Sequence, residues 1–290
     1  MTPEIKPTRA SIEVCTACNH RCQYCPVTEF PKKQQVMPLD LFTRVMSELG
    51  ELGEPLKRVS FSHYNETLLD PHLTERVKIT STLPYVDHIL IFSNLSLLRN
   101  ALVDELEFAK QKIVFNVNLP TTDRERYKTI HGFDHYPAVE ANINKLLNAG
   151  YKLRINAQKN VFTTDEDVKG VEKLFGDRAK VSILQSDDRS GLVPGFVSVR
   201  HEGRIVGCAT RRVIDFVHIG VEGEVFLCCQ DYFKKYRLGD IREQNLKQIL
   251  SSNKTREYLG YIYGEVNAPS DFLCRSCEFA VSESKKEIGK

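Results

Sequence analysis

Four cysteines fall within eleven residues near the N-terminus, in the run Cys15-Thr-Ala-Cys18-Asn-His-Arg-Cys22-Gln-Tyr-Cys25. Thiolates spaced this closely can reach one metal centre from a single loop. The number of ligands then decides what the centre does. Four protein thiolates close a site, giving a structural metal or an electron carrier, whereas three leave one metal position open to an outside ligand. Cys18, Cys22 and Cys25 are separated by three and then two residues. Adding Cys15 creates a Cys-x2-Cys knuckle of the kind zinc favours. Further down the chain come Cys208, the adjacent Cys228 and Cys229, and the pair Cys274 and Cys277, with no cysteine between residues 26 and 207. Cysteines used only as small core hydrophobes would scatter. Two separated groups read as two metal sites.

Composition narrows the setting. Lysine and arginine total 40 against 38 aspartate and glutamate, a net charge of +2, which is no footprint for nucleic acid or an anionic membrane. The N-terminus, MTPEIKPTRA, has no apolar signal core, and no run approaches the roughly 18 apolar residues that span a bilayer. A cytoplasmic location is expected, and in a reducing compartment nine cysteines do not make a disulfide framework.

The elements that must position these thiols are legible as alternating patterns. Strands are expected at 11–15, 56–62, 86–94, 112–119, 151–158 and 179–185. Between them run helical periodicities: Phe42, Val45, Met46 and Leu49; Val139, Ile143, Leu146 and Leu147, stopped near Gly150; and Val168, Val171 and Phe175, ended by Gly176. Six βα units predict an α/β fold with a parallel sheet. In the fourth strand Asn116 and Asn118 share one face, and in the fifth Arg154, Asn156 and Gln158 do so. A flat sheet covered on both sides would want both faces apolar. One polar and one apolar face suits a partial (β/α)6 TIM-like barrel with a polar lumen, its site at the C-terminal ends of the strands. After a Gly- and Pro-containing boundary at 186–195 the pattern changes. Residues 213–228 read as a hairpin turning near Glu222-Gly223, a short helix follows at Leu246–Leu250, and the last residues read as a solvated tail. The expected division is a barrel over 1–190 and a small metal-binding domain over 191–290.

Cys18-x3-Cys22-x2-Cys25, with Tyr24 just before the last cysteine and the loop placed directly after the first strand, resembles the signature of the radical S-adenosylmethionine (SAM) superfamily. The resemblance implies a [4Fe–4S] cluster on Cys18, Cys22 and Cys25. Its open iron binds SAM, which is cleaved reductively to a 5′-deoxyadenosyl radical. It also implies SAM-binding roles for Tyr24, for Glu66 in Tyr64-Asn65-Glu66-Thr67 (where the family usually has Gly-Gly-Glu-Pro), for Asn94, Asn116 and Asn118 at strand ends, and for Arg189 after the sixth strand. Cys208, Cys228, Cys274 and Cys277 resemble the C-terminal SPASM/Twitch extension, with a second, auxiliary [4Fe–4S] cluster and Cys228 rather than Cys229 as ligand. Cys15 is then expected on the lumen face with Ser11 and Glu13, as a packing residue or, like Cys229, as a hydrogen donor.

Similarity to the aminocyclitol (2-deoxy-scyllo-inosamine) dehydrogenase type implies oxidation of a small molecule, such as a sugar or aminocyclitol, with an electron passed to the auxiliary cluster. Sugar or peptide epimerisation and modification of a ribosomal peptide are the alternatives. A first strand starting near residue 11 leaves no room for a peptide leader-binding domain, which favours a small substrate. A flavodoxin- or ferredoxin-type electron donor is expected, with no nucleic-acid or membrane partner. His63, His88, His131 and His135 are candidates for the base. A non-enzymatic reading, both cysteine groups holding structural zinc, stands beside these.

Overall fold

The computed structural model describes residues 3–283, so most of the expected tail, 284–290, lies outside the described residues. Among the described residues eleven strands are formed: β1 (Arg9–Ile12), β2 (Arg58–Phe61), β3 (Ile89–Phe92), β4 (Ile113–Asn118), β5 (Lys152–Lys159), β6 (Lys180–Gln185), β7 (Ile205–Cys208), β8 (Phe216–Ile219), β9 (Glu224–Phe226), β10 (Arg237–Asp240) and β11 (Ala280–Ser282). The first six lie parallel, in chain order, at the six positions the sequence marks as strands.

Alternation along these strands sorts the side chains. Val59 and Phe61 of β2 point to the outer layer. There they meet Phe42, Val45, Met46 and Leu49, the buried stripe of helix Leu39–Glu51. Phe42 and Phe61 pack edge to face with ring centres 5.7 Å apart. The helices Tyr136–Asn148 and Asp165–Phe175 bury the same kind of stripe, and Thr164 opens the latter with a capping box to Asp167. The opposite faces of the strands, with Ser11, Ser60, Asn116, Asn118, Arg154 and Asn156, enclose a polar lumen.

The C-terminal part is joined to the barrel through its strands. Its hairpin does turn at Gly223, whose φ of +91° glycine adopts without strain. Yet β8 pairs in parallel with β1, Arg9 opposite Phe216 and Ile12 opposite Ile219, and β9 and β10 follow antiparallel. One nine-stranded sheet results, in the order β10-β9-β8-β1-β2-β3-β4-β5-β6. The expected boundary at 190/191 falls in the irregular connection after β6, but the strands beyond it extend the barrel sheet. A separate pair, β7 with β11, and the helices Leu246–Leu250 and Asn253–Tyr263 complete this part. Among the described residues no helix is long and apolar enough to cross a membrane.

Candidate active site

The loop that follows β1 is held in place by a helix end. Helix Arg124–His131 stops at Gly132 (φ +79°), leaving terminal carbonyls without intrahelical partners. The loop takes two of them: Arg21 N–H donates to the His131 carbonyl at 3.0 Å and Gln23 N–H to that of Ile130 at 2.9 Å. Gly132 also allows the close approach, since a Cβ there would stand 3.1 Å from that of Arg21. Within the loop, Cys25 N–H donates to the Cys22 carbonyl at 3.0 Å, and the Thr28 hydroxyl donates to the same carbonyl at 2.8 Å. Cys18, Cys22 and Cys25 are thereby turned into one cavity of about 510 Å³ at the mouth of the lumen.

The electrostatics of the three thiols suit a cationic centre. Burial pushes the Cys18 thiol up to about 12 and raises Cys22 and Cys25, with neighbouring thiols adding to the shift at Cys18 and Cys22. Ionising them together requires positive charge at the point they share, which a metal centre held there would supply. Among the described residues, donor atoms of His20, Cys22 and His131 lie within 4.8 Å of one another. These histidines belong to a packed ring: His20 bonds His135 at 2.9 Å, and the Tyr24 hydroxyl bonds His131 Nε2 at 2.7 Å.

The remaining expected cofactor residues gather around the same cavity. Tyr24, Glu66, Asn94, Asn116, Asn118 and Arg189 all line it. Glu66 is 2% exposed, and burial raises its pKa although two amides oppose the shift. Its carboxylate accepts from Asn94 N–H at 2.6 Å and Leu68 N–H at 2.9 Å, with the Ser93 side chain as a third partner. The Asn94 side chain donates to Asn19 and accepts from Ser96. Asn118 accepts from Asn156 and Gln158, while Asn116 keeps a buried amide without a partner. Arg189 stands at φ +53° beside Asp187, 3.5 Å away.

Cys15 does not take the lumen position expected of it. β1 ends at Ile12, so the alternation that would put Cys15 beside Ser11 and Glu13 stops short, and the residue instead makes an isolated bridge to Val36. Its sulfur lies in the apolar core, 3.5 Å from the Glu66 carbonyl. The packing role is the one its surroundings support. Of the four candidate histidines, His63 and His131 line the cavity, His135 stands behind them and His88 is exposed. His63 is the one backed by an acid: its Nδ1 is 3.4 Å from Glu13, which also holds Lys32 at 2.6 Å and Lys234 at 2.5 Å.

The second cysteine group assembles from distant segments. Cys208 ends β7 opposite Ala280 of β11, while Cys274 and Cys277 sit in and just after the turn Leu273–Ser276. Burial raises Cys274 and pushes Cys277 up to about 11, and Cys208 adds to both, so the three are mutual neighbours. Cys228 is buried, its sulfur within 4.8 Å of Cys229 Sγ and a His218 ring nitrogen, and Cys229 faces the cavity. The hydrogen bond to Cys228 lowers Cys229 and raises Cys228, and Arg212 and Arg189 favour the Cys229 thiolate. Tyr64 ties the two regions together, its hydroxyl donating to the Cys229 carbonyl at 2.9 Å. Sequence reasoning missed Arg58, Arg212, Phe216 and His218, which also line the cavity. Phe216 and His218 were legible as alternate positions of a strand, but not as lumen residues until β8 is known to join β1.

Comparison with known proteins gives the following. The profile of the Radical SAM superfamily matches residues 12–175, and that of an iron–sulfur cluster-binding domain, SPASM, matches residues 208–278. Among curated relatives, GTP 3′,8-cyclase of Chlorobaculum tepidum is 29% identical over 136 residues, 47% of this chain and 40% of that protein. The Campylobacter jejuni enzyme of the same name is 26% identical over 180 residues, 60% of this chain and 54% of that protein. The chain thus spans about half the length of the curated relatives it matches. Among solved structures, BtrN in complex with AdoMet and 2-DOIA superposes with a TM-score of 0.58 at 19% identity, covering 93% of this chain and 94% of that one. Streptococcus suis SuiB bound to precursor peptide SuiA superposes with a TM-score of 0.71 at 15% identity, covering 94% and 70%.

Proposed function

The chain belongs to the Radical SAM superfamily and carries an iron–sulfur cluster-binding SPASM domain, and from that premise we propose that it dehydrogenates a small molecule of the sugar or aminocyclitol kind, converting a carbinol to a ketone. The observation that carries this reading is a single cavity lined both by three half-buried thiols and by the polar residues of the lumen. Cys18, Cys22 and Cys25 would hold the [4Fe–4S] cluster that binds SAM, and Cys208, Cys228, Cys274 and Cys277 would hold the auxiliary cluster. When bound, these groups supply a 5′-deoxyadenosyl radical that removes a substrate hydrogen and an acceptor for the electron the substrate then gives up.

The chain's own residues do the rest. Glu66, fixed by two amides, directs its carboxylate to the SAM amino group. Asn94, Asn116 and Asn118 offer amides to ribose and substrate hydroxyls, Tyr24 packs beside the cluster loop, and Arg189 faces the SAM carboxylate. His63, oriented by Glu13, takes the hydroxyl proton as the carbonyl forms. The Tyr64 bridge to Cys229 holds the cavity wall next to the auxiliary ligand Cys228. Cys229, on the cavity wall, is placed to return a hydrogen to the substrate if the reaction is an epimerisation instead. A flavodoxin- or ferredoxin-type protein is the reductant.

The similarity to BtrN, which extends over nearly the whole of both chains, and the 2-DOIA bound there support a small substrate. The higher TM-score to SuiB with its precursor peptide keeps peptide modification as the second reading. The test is anaerobic reconstitution with iron and sulfide, followed by SAM and dithionite. About eight irons per chain and 5′-deoxyadenosine lost in the triple Cys18/Cys22/Cys25→Ala variant support the enzyme. Deuterated aminocyclitols then show transfer of label into 5′-deoxyadenosine. Stoichiometric zinc without SAM cleavage refutes the enzyme, and label transfer only from a peptide refutes the small substrate.

A further inference from the structure

The lumen has a second end, away from the cysteines. There the starts of β1 and β2 set Arg9 opposite Arg58, and Arg9 also opposite Phe216 of β8. Both guanidinium groups lie over the Phe216 ring, 5.1 and 5.4 Å from its centre. On the far wall Arg154 of β5 stands beside Asn116 of β4. Arg58, Arg154, Asn116 and Ser60 line the same cavity as the cluster loop.

Two independent features mark this end. The first is uncompensated charge. Among the described residues no carboxylate pairs with Arg9, Arg58 or Arg154 within salt-bridge distance, and burial, then Arg9 and Arg154, pull Arg58 down to about 10. Glu66 is the one carboxylate among the lining residues, and it is engaged at the other end. The second is a set of buried donors without acceptors: Arg58 Nε, Asn116 Nδ2 and the Ser60 hydroxyl. Arg Nε–H and the Asn amide can only donate, and leaving such groups unpaired in the interior is costly. Balancing the cluster loop does not explain them. Arg21, Arg189 and Arg212 are in electrostatic contact with cysteines, whereas Arg58 responds to arginines alone.

We propose that Arg58 and Arg154, with Asn116 and Ser60, form a recognition site for an oxyanion, so that the substrate held below the cysteines carries a phosphate or carboxylate group. Placing that group on the substrate rests on the function proposed above; the site itself does not. The forked guanidinium groups match the paired oxygens of either anion. Arg9, stacked on Phe216, keeps the local potential positive from outside the cavity.

The test uses the full chain, reconstituted anaerobically, with inorganic phosphate and succinate titrated separately by calorimetry at low salt. The wild type should bind one of them saturably, and which one binds distinguishes phosphate from carboxylate. Arg58→Gln and Arg154→Gln should each weaken that binding by at least about tenfold. Asn116→Asp, nearly isosteric but offering an acceptor and a negative charge, should abolish it, and keeps the test alive if an arginine variant fails to fold. No saturable binding to the wild type, or equal affinity in all the folded variants, overturns the proposal. Wild-type protein that binds phosphate but neither takes up iron nor forms 5′-deoxyadenosine overturns the function and leaves this site standing.

Discussion

The two cysteine groups are built in opposite ways. Cys18, Cys22 and Cys25 hang on one loop, pinned by two carbonyls at a helix end, and face a cavity. Cys208, Cys228, Cys274 and Cys277 come from separate segments, and Cys228, Cys274 and Cys277 are buried in the apolar core. A centre made by one loop can leave a coordination position open without disturbing the fold. A centre made by several segments is bound up with how those segments pack. The first arrangement suits chemistry and the second suits holding and passing electrons.

The largest effects should come from breaking each group in turn. Replacing Cys18, Cys22 and Cys25 with Ala should lower 5′-deoxyadenosine formation by at least about a hundredfold and leave the melting temperature near that of the wild type. Cys274→Ser with Cys277→Ser should instead remove about half the iron and lower the melting temperature, with SAM cleavage retained. The opposite pattern would break the distinction. Next is the ion cluster that joins the regions. Lys234→Met leaves the fully buried Glu13 with Lys32 as its remaining lysine and should cost about 3–5 kcal/mol in urea unfolding.

Acid should act through the first region. Burial holds His63 neutral, its pKa drawn down to about 4 against the pull of Glu13, while the unfolded chain titrates near 6.5. The folded value is the lower one, so this contribution is present in full above about pH 6.5 and is lost as pH falls toward about 4. His63→Gln should flatten that part of the stability profile. The smallest effect should be Tyr64→Phe, which removes the hydroxyl bond to the Cys229 carbonyl and should cost about 1 kcal/mol. A cost confined to the C-terminal region in hydrogen exchange would show that the regions open separately.

Where the chemistry was local, the sequence carried it. The cysteine spacing, the stripe Phe42, Val45, Met46 and Leu49, and the polar strand faces with Asn116 and with Arg154 are each read from one short segment; the stripe is buried and the polar faces line the cavity as expected. What escaped was pairing across the chain. Nothing near residues 216–219 signals that this strand will lie against residues 9–12, because parallel pairing between distant segments leaves no mark in either one. The same blindness hid Arg58, which resembles an ordinary charged strand end until β8 places Phe216 beneath it. Cys15 was misplaced for a more local reason: alternation was extended beyond the last residue that pairs.

The parallel contact between β1 and β8 also has a consequence in time. β1 emerges first during synthesis, but one of its two neighbours lies beyond residue 215. At a typical elongation rate of 5–20 residues per second, its second edge stays uncovered for on the order of 10–40 s. Throughout that interval the nascent chain presents an unpaired strand edge, of the kind that recruits other chains, directly before its metal-binding loop. Handling by chaperones and delivery of iron are therefore expected to be matched to the arrival of β8, at residues 216–219.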